Sequence, residues 1–281
     1  MEGDLRRRLP ALPLRQVIAY ERLILARQDD LLRVTLQDPE RANALSPRLL
    51  GELTDCYRRD WRAEGVRAIL LDGAGKNFSA GADLEHLKAL RHAGPDENLA
   101  DSMRLRDLFQ AILRQEALTL ALVHGACVAG GCGIATAHDF VIAAEDARFL
   151  YSEARIGFVA ALVATFLPLR LRGSDIRELL LNPDFIAGPR ALEIGLVNRL
   201  VAANELRVAG ERLAGEILNR SSSESIARTK RLMLEIVGMP LDVAMEHAAR
   251  ANAEARSTDD CRRGIDTFLA TKKTPQWRSG E

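Results

Sequence analysis

Two stretches of this chain share one order of residues: an apolar strand, then a run of very small residues, then the start of a helix. They read AILLDGAGKNFSAGADL and LALVHGACVAGGCGIATAHD. Small residues let another group approach the main chain closely, and the first N–H groups of a helix have no acceptor inside it. Such a turn therefore predicts either tight strand-to-helix packing or a backbone site for an oxygen atom that carries negative charge.

Two other functions of small-residue turns fit these segments poorly. Neither segment has the GxxxxGK[ST] order of a phosphate loop, and Gly130-Gly131 lacks the GxGxxG spacing of a dinucleotide site. Ser79 does not lie in the G-x-S-x-G order of a hydrolase nucleophile. We therefore expect neither a nucleotide fold of those kinds nor a serine hydrolase.

Strand and helix patterns alternate over most of the chain, which predicts an α/β fold. From about residue 204 the apolar spacing is helical to about residue 271. We divide the chain into an N-terminal extension (1–26), an α/β core (27–203) and a C-terminal helical region (204–281). Residues 16–25 fit either a helix or an edge strand.

The composition excludes several classes of partner. Lys and Arg total 39, as do Asp and Glu, so the formal charge is zero and nothing favours nucleic acid or an anionic membrane. We find no run of about 18 apolar residues that would span a membrane. The four cysteines show no metal-ligand spacing. We expect core thiols, no metal and a cytoplasmic location.

Five motifs follow one another across roughly residues 30–277. They are DPERANALS, FSAGADL, LVHGACVAGGCGIATAHDFVIAAEDARFLYSEARIGF, ELLLNPDFIAGPRALEIGLVNRLV and STDDCRRGIDTFLATKKTPQW. In this order they resemble the motifs of the enoyl-CoA hydratase/isomerase (crotonase) family. The resemblance implies the crotonase fold, in which repeated ββα units precede a C-terminal helical oligomerisation region, and a homotrimer or a dimer of trimers. It also implies an acyl-CoA thioester as substrate, with no cofactor beyond the coenzyme A that the substrate carries.

The resemblance also assigns residues to a site. The N–H groups of Ala82 and Gly130 would hold the thioester carbonyl oxygen as it becomes an enolate. Arg41 would bind a phosphate of coenzyme A. Phe268 and Lys272 would approach the adenine of the coenzyme A that is bound to a neighbouring subunit. The full set of implied binding residues is Arg41, Ala42, Ala44, Ala80, Gly81, Ala82, Asp83, Leu84, Gly130, Gly133, Tyr151, Phe268 and Lys272.

Glu153 is the one acid–base residue that the resemblance supplies. Family hydratases commonly use two glutamates, and Gly133 stands at the first of those positions while Glu153 stands at the second. In an apolar pocket the pKa of such a carboxyl group should be raised, which suits proton transfer. The competing interpretation is a surface glutamate paired with Arg155.

These residues leave three functions open. The preferred reaction is hydration or dehydration of an enoyl-CoA, and the alternatives are Δ3,Δ2-isomerisation through Glu153 alone and non-catalytic acyl-CoA binding. The stretch ARFLYSEARIGFVAALVATFL is similar to bacterial 3-methylglutaconyl-CoA hydratase-like members. That similarity implies a branched or dicarboxylic acyl group, for which Arg155 is the candidate cation.

Overall fold

The computed structural model describes residues 20–278. These residues form two β-sheets, with helices on both faces of the larger one. The strands within this range are β1 (Leu23–Gln28), β2 (Leu31–Leu36), β3 (Ala68–Gly73), β4 (Leu118–Val123), β5 (Ala126–Val128), β6 (Phe140–Ala144), β7 (Arg148–Leu150), β8 (Ile186–Ala187) and β9 (Arg199–Val201).

The larger sheet has the strand order β1-β2-β3-β4-β6-β9. Every neighbouring pair is parallel except β1 and β2, which form an antiparallel hairpin at the edge. Every residue of β4 is buried, as expected for a strand covered on both faces. The residues that we could not assign between helix and edge strand thus lead into an edge strand, although residues 16–19 lie outside the described range.

A smaller sheet carries the order β5-β7-β8 and lies at the ends of the strands of the larger one. The apolar stretch 118–131, which reads as one strand, is two: the chain leaves β4 at Val123 and enters β5 at Ala126. An isolated parallel bridge between Ser79 and Cys127 extends the smaller sheet by one position. A strand of each sheet followed by a helix is the ββα unit that the motifs predict.

The helices follow the strands in the alternation read from the sequence. Within the described residues they are α1 (Pro47–Arg58), α2 (Leu84–Leu90), α3 (Pro95–Arg114), α4 (Gly130–Ala137), α5 (Ala161–Phe166), α6 (Gly173–Leu181), α7 (Gly188–Glu193), α8 (Leu206–Arg220), α9 (Ser223–Glu235), α10 (Leu241–Arg256) and α11 (Asp259–Thr271). The α1 helix begins as its sequence suggests, because Pro47 follows the cap Ser46, whose side chain accepts the Leu49 N–H.

Both predicted domain boundaries cut through packed structure. The boundary at residue 26 falls inside β1. The boundary at residue 203 separates α8 from the sheet, yet Leu206, Leu213 and Leu218 of α8 are buried against β3, β4 and β6. In packing terms the core therefore runs from about residue 23 to the end of α8, because α8 covers one face of the large sheet.

The last two helices, α10 and α11, project from the core. Neither contains a buried residue, and Leu241, Met245 and Leu269 are each more than 60% exposed. None of the described helices is both long enough and apolar enough to cross a membrane.

Candidate active site

The first small-residue turn (residues 79–83) follows β3. Leu45 N–H donates to Gly81 O at 2.7 Å, and Leu45 and Ala82 form an isolated parallel bridge. In a parallel pair of strands, the backbone N–H and C=O groups of every second residue bond to the neighbouring strand. The N–H of Ala82 is therefore not used by this bridge. In the described part of the chain, this N–H has no hydrogen-bond acceptor. Gly81 has φ +81°, a conformation that favours glycine.

The second small-residue turn (residues 128–131) joins β5 to α4. Ala129 is the N-cap of α4 and has φ +48° and ψ −119°, a rare conformation for a residue with a Cβ. Its N–H donates to Leu150 O at 2.7 Å, which ties the turn to β7. Gly130 is the first residue of α4, so its N–H has no acceptor in the helix, and residues 20–278 offer it none elsewhere.

The two turns lie against each other. Val128 N–H donates to Ser79 O at 2.9 Å, and Ser79 N–H donates to Ala126 O at 3.2 Å. A Cβ on Gly81 would lie 2.7 Å from Val128 O, so only glycine allows this approach. The residues that come next in the two segments, Ala82 and Gly130, are therefore neighbours, and their N–H groups are both available.

A third segment holds the first turn in place. Asn43 is fully buried, and its side-chain amide donates to the carbonyl oxygens of Ala74, Asn77 and Phe78 at 2.9, 3.0 and 3.1 Å. Its own carbonyl accepts the Ser79 hydroxyl at 2.8 Å, and the Ser79 hydroxyl oxygen accepts the Gly81 N–H at 3.2 Å. Sequence reasoning assigned Asn43 no role, although it lies within the DPERANALS motif.

Glu153 lies at the same edge as these turns. Val128 of β5 pairs with Leu150 of β7 in parallel, so both chains leave the smaller sheet in the same direction, and Glu153 follows Leu150 by three residues. Its Oε2 is buried and has no hydrogen-bond partner in the described structure. Burial raises the pKa of this carboxyl group above its ordinary value of 4.5, with its own backbone N–H partly opposing the shift.

The alternative for Glu153, an ion pair with Arg155, is wrong. Arg155 turns away and contacts Asp184, with 3.2 Å between the guanidinium and carboxylate atoms. Its side chain is half exposed, and the Asp184 side chain is largely exposed. The structure thus gives no support to Arg155 as the cation for a dicarboxylic substrate.

The position of the missing glutamate is filled by hydrophobic side chains. A Cβ on Gly133 would lie 2.5 Å from Phe109 Cζ and 2.8 Å from Val163 Cγ1. Phe109 in turn packs edge-to-face with Phe166, with 5.3 Å between ring centroids. Gly133 therefore offers no room for a side chain, and the wall of the site at this position is apolar. No local pattern in the sequence indicates that Phe109 and Val163 contact Gly133.

The remaining residues of the first turn and the entry motif take varied positions. Arg41 is exposed, and its guanidinium lies 3.4 Å from the Asp83 carboxylate. Asp83 accepts the N–H groups of Glu85 and His86 at the start of α2, and these bonds hold its pKa below the ordinary value. Asp83 is thus the N-cap of α2, and its assignment to the substrate-binding set stays a prediction. The exposed residues here are Ala80, Ala82 and Leu84, Ala42 is half-buried, and Ala44 is buried beneath them.

Two further assignments need correction or stay open. Tyr151 is 1% exposed, and its hydroxyl lies 3.4 Å from Thr136 Oγ1, so it joins β7 to α4 from inside the core and does not border a pocket. Phe268 is half exposed on α11, and Lys272 ends that helix with its ammonium 5.9 Å from the Phe268 ring centroid. Among the described residues, no hydrogen bond or ion pair joins α11 to either turn. Their predicted approach from a neighbouring subunit stays a prediction.

Taken together, one edge of the smaller sheet presents two available N–H groups and a carboxyl group with a raised pKa. Such a site can stabilise an oxyanion and move a proton next to it. No cluster of three or more His, Cys, Asp and Glu side chains suited to a metal ion occurs between residues 20 and 278.

Comparisons with known proteins agree with this geometry. Residues 26–280 match the family model described as enoyl-CoA hydratase/isomerase. A Thermus thermophilus protein provisionally named enoyl-CoA hydratase is 38% identical over 244 residues, which cover 87% of this chain and 96% of that protein. The human mitochondrial Delta(3,5)-Delta(2,4)-dienoyl-CoA isomerase is 29% identical over 269 residues, covering 91% and 81%. The crystal structure of an enoyl-CoA hydratase from Mycobacterium smegmatis superposes with a TM-score of 0.84 at 28% identity, covering 92% and 99%.

Proposed function

Because the chain belongs to the enoyl-CoA hydratase/isomerase family, we propose that it hydrates an enoyl-CoA thioester, or dehydrates the hydroxyacyl product, with Glu153 as its acid–base group. One set of observations supports the proposal: the N–H groups of Ala82 and Gly130 have no acceptor among the described residues and belong to two turns that hydrogen-bond to each other, and one oxygen of Glu153 is buried without a partner. The fold and the hydratase or isomerase class rest on the family itself.

The two N–H groups would act on the thioester carbonyl oxygen. Negative charge develops on that oxygen when a nucleophile adds at Cβ or a proton leaves Cα. Two fixed donors stabilise this charge more than they stabilise the neutral carbonyl, and loss of one donor of this kind typically costs about 10²–10³ in rate. Because Gly130 is the first residue of α4, the positive end of the helix supports its N–H.

Glu153 would handle the proton. In hydration, the oxygen of a water molecule forms a bond to Cβ while one of its protons passes to the Glu153 carboxylate. The electron pair of the double bond moves to the thioester as an enolate. Glu153 then gives the proton to Cα and is again a carboxylate. The raised pKa of Glu153 favours the first of these transfers, because its carboxylate is a stronger base towards the water proton than that of an ordinary glutamate.

A second reaction is favoured by the hydrophobic wall at Gly133. Phe109 and Val163 leave no place there for a second carboxylate that would hold water. One carboxylate is enough for a double-bond shift, in which Glu153 removes a proton from C2 of a 3-enoyl thioester and returns it to C4. The third alternative, a silent binding protein, is disfavoured because Glu153 is present and has a raised pKa.

The exposed apolar residues of α10 and α11 support a further part of the proposal, assembly into a homotrimer or a dimer of trimers. Leu241, Met245 and Leu269 are exposed in the single chain, and burial against a neighbouring copy would remove that surface from water. In such an assembly Phe268 and Lys272 would serve the neighbouring subunit's coenzyme A. The reaction requires no cofactor besides the coenzyme A of its substrate.

The test is to incubate the purified protein with a 2-enoyl-CoA and, separately, a 3-enoyl-CoA, and to identify the products by mass spectrometry and by loss or gain of conjugated thioester absorbance. Hydration adds the mass of water to the first substrate, whereas isomerisation converts the second at constant mass. Glu153→Gln should lower either rate by about 10²–10⁴ while the protein still binds acyl-CoA.

The matched control is Glu145→Gln, which changes an exposed glutamate at the end of β6. It should retain full activity. Full activity in Glu153→Gln would exclude Glu153 as the acid–base group. A bound acyl-CoA complex whose carbonyl oxygen lies away from Ala82 and Gly130 would overturn the proposed pose.

A further inference from the structure

A large apolar cavity lies between α9 and the core. Its volume is about 720 Å³, and it is open to solvent along α9. The side chains that give it its apolar character come from several elements: Leu113, Phe140, Phe166, Ile217, Ile226 and Met233. We refer to it as the α9 cavity. The mechanism proposed above does not use it.

The α9 cavity lies directly behind the apolar wall at Gly133. Phe166 lines the cavity and packs edge-to-face on Phe109, and the edge of the Phe109 ring faces Gly133. The α9 cavity and Gly133 are thus separated by two aromatic rings, Phe109 and Phe166, which we call the ring pair. Aromatic side chains in contact with an open cavity have space into which they can rotate.

The helix α4 provides a continuous path between the two places. Residues three apart in a helix are neighbours on its surface, so Gly133 is adjacent both to Gly130 and to Thr136 on α4. Gly130 belongs to the second small-residue turn, Gly133 faces the ring pair, and Thr136 lines the α9 cavity. At 1.5 Å per residue, the distance from Gly130 to Thr136 along the helix is about 9 Å.

The two cations at the α9 cavity already have hydrogen-bond partners. Lys230 Nζ lies 2.6 Å from Asp139 Oδ2 and donates to Ala117 O at 2.7 Å. Arg170 donates to the carbonyl oxygens of His138 and Asp139. An occupant with a carboxylate at its far end would have to compete with these contacts, whereas a hydrocarbon would be buried against apolar walls.

We propose that the α9 cavity receives the distal, uncharged end of a long acyl chain, and that the ring pair rotates to admit it. This inference rests on the proposed function. Carbon–carbon bonds of about 1.5 Å advance an extended chain by somewhat less than their length, so a path of about 9 Å needs about seven carbons. Short acyl groups end before the ring pair, and longer ones pass it.

The test uses saturated acyl-CoA thioesters of four, eight, twelve and sixteen carbons, whose binding is measured by calorimetry, and the matching 2-enoyl thioesters, whose turnover is measured. Met233→Trp adds bulk at the solvent side of the α9 cavity, at a residue that is 63% exposed and so tolerates a larger side chain. Each buried methylene contributes about 0.8 kcal/mol, so loss of two or more should weaken binding of the long thioesters at least about tenfold and leave the four-carbon thioester unchanged.

Two further variants complete the test. Val208→Trp is the matched control, because Val208 is 59% exposed on α8 and does not line the α9 cavity; this variant should bind all chain lengths as the parent does. Phe109→Leu shortens one ring of the ring pair while it keeps an apolar side chain. It should raise kcat/KM for the long substrates relative to the four-carbon substrate.

The outcomes separate this inference from the proposed function. Equal effects of Met233→Trp at all chain lengths, or no effect, would overturn the acyl-chain assignment even if the four-carbon substrate is turned over normally. A changed oligomeric state of Met233→Trp in size-exclusion chromatography, without a chain-length effect, would assign the α9 cavity to a second copy and also overturn it. If binding depends on chain length as expected but the parent turns over no thioester, the proposed reaction fails and the cavity assignment stands.

Discussion

At the scale of single residues, Gly133 shows why a missing functional group is not the same as an empty position. The sequence shows a glycine where related hydratases carry a carboxylate, and it leaves open whether the space is free for water. The structure fills that space with Phe109 and Val163. The position of Gly133 therefore supplies no second carboxyl group, and burial raises the pKa of Glu153.

We expect Gly133→Ala to destabilise the protein by about 1–3 kcal/mol, because the new Cβ would overlap Phe109 Cζ at 2.5 Å and buried overpacking costs this much. The free energy of unfolding, measured by chemical denaturation, checks it. Gly51→Ala is the control: it adds a Cβ in α1 with nothing within 4 Å and should stabilise the helix by up to about 1 kcal/mol. Equal stability of the two variants would contradict the packed wall.

At the scale of elements, hydrogen bonds and close packing hold together the loop that contains Asn43, the first small-residue turn and the start of α4. Asn43 binds three carbonyl oxygens of the segment that leads into the first turn, and Ser79 continues these contacts to Gly81. Asn43 itself has φ +53°, so its backbone is held in a conformation that few residues adopt.

We expect Asn43→Asp to cost about 3 kcal/mol of stability and to lower activity, because a carboxylate cannot donate to three carbonyl groups and would be buried against them. Thermal or chemical unfolding and the enoyl-CoA assay check this. Asn98→Asp, at an exposed position of α3, should change stability by less than about 0.5 kcal/mol. A loss no greater than that in Asn43→Asp would show that the first turn does not depend on Asn43.

A buried histidine links two helices next to the site. His138 Nδ1–H donates to Ile134 O at 2.8 Å, and its Nε2 accepts the Tyr57 hydroxyl at 2.6 Å, so the ring is neutral. Burial lowers the pKa of His138 from 6.5 to about 4. As pH falls from 6.5 towards 4, the unfolded chain takes up a proton at this position and the folded chain does not.

The protein should therefore lose about 3 kcal/mol of stability to His138 between pH 6.5 and pH 4. In His138→Gln this part of the pH dependence should disappear, whatever the absolute stability of the variant. Unfolding free energies of parent and variant across this pH range provide the measurement. His92→Gln, at an exposed position, should retain the parental slope. An unchanged slope in His138→Gln would contradict a buried neutral ring.

How much of this could be predicted differs between local and long-range features. The two turns, the start of α1 at Ser46 and the helical C-terminal region follow from local residue order, and the structure contains them. The contacts of Phe109 with Gly133 and of α8 with the large sheet join residues far apart in the chain, and no local pattern encodes them.

At the scale of the whole molecule, α10 and α11 expose more apolar side chains than is usual for a monomeric protein. Ile265 and Leu269 lie one helical turn apart on α11 and are 50% and 62% exposed. Their position fits the proposed assembly, in which α11 would lie against a neighbouring copy.

The double variant Ile265→Asp with Leu269→Asp should raise the dissociation constant of the assembly at least about tenfold, because each charge would be buried at the interface. Size-exclusion chromatography with light scattering measures the molar mass as a function of concentration. Asp266→Ala, at an exposed position between them, should leave the molar mass unchanged. A parent that is monomeric at all concentrations would contradict the assembly.

The oxyanion donors that we propose at residues 82 and 130 belong to the main chain, and this has a consequence for how the protein can change over evolutionary time. A point mutation at either position replaces a side chain and leaves the N–H group in place, except when the new residue is proline. Activity should thus tolerate small replacements at residue 82 and fail with proline, whereas at residue 130 a Cβ would lie 2.8 Å from Leu45 Cδ1, so the Leu45 side chain would also have to shift. The property under selection is the path of the backbone, which is set by residues such as Asn43 and Ser79 that never touch the substrate.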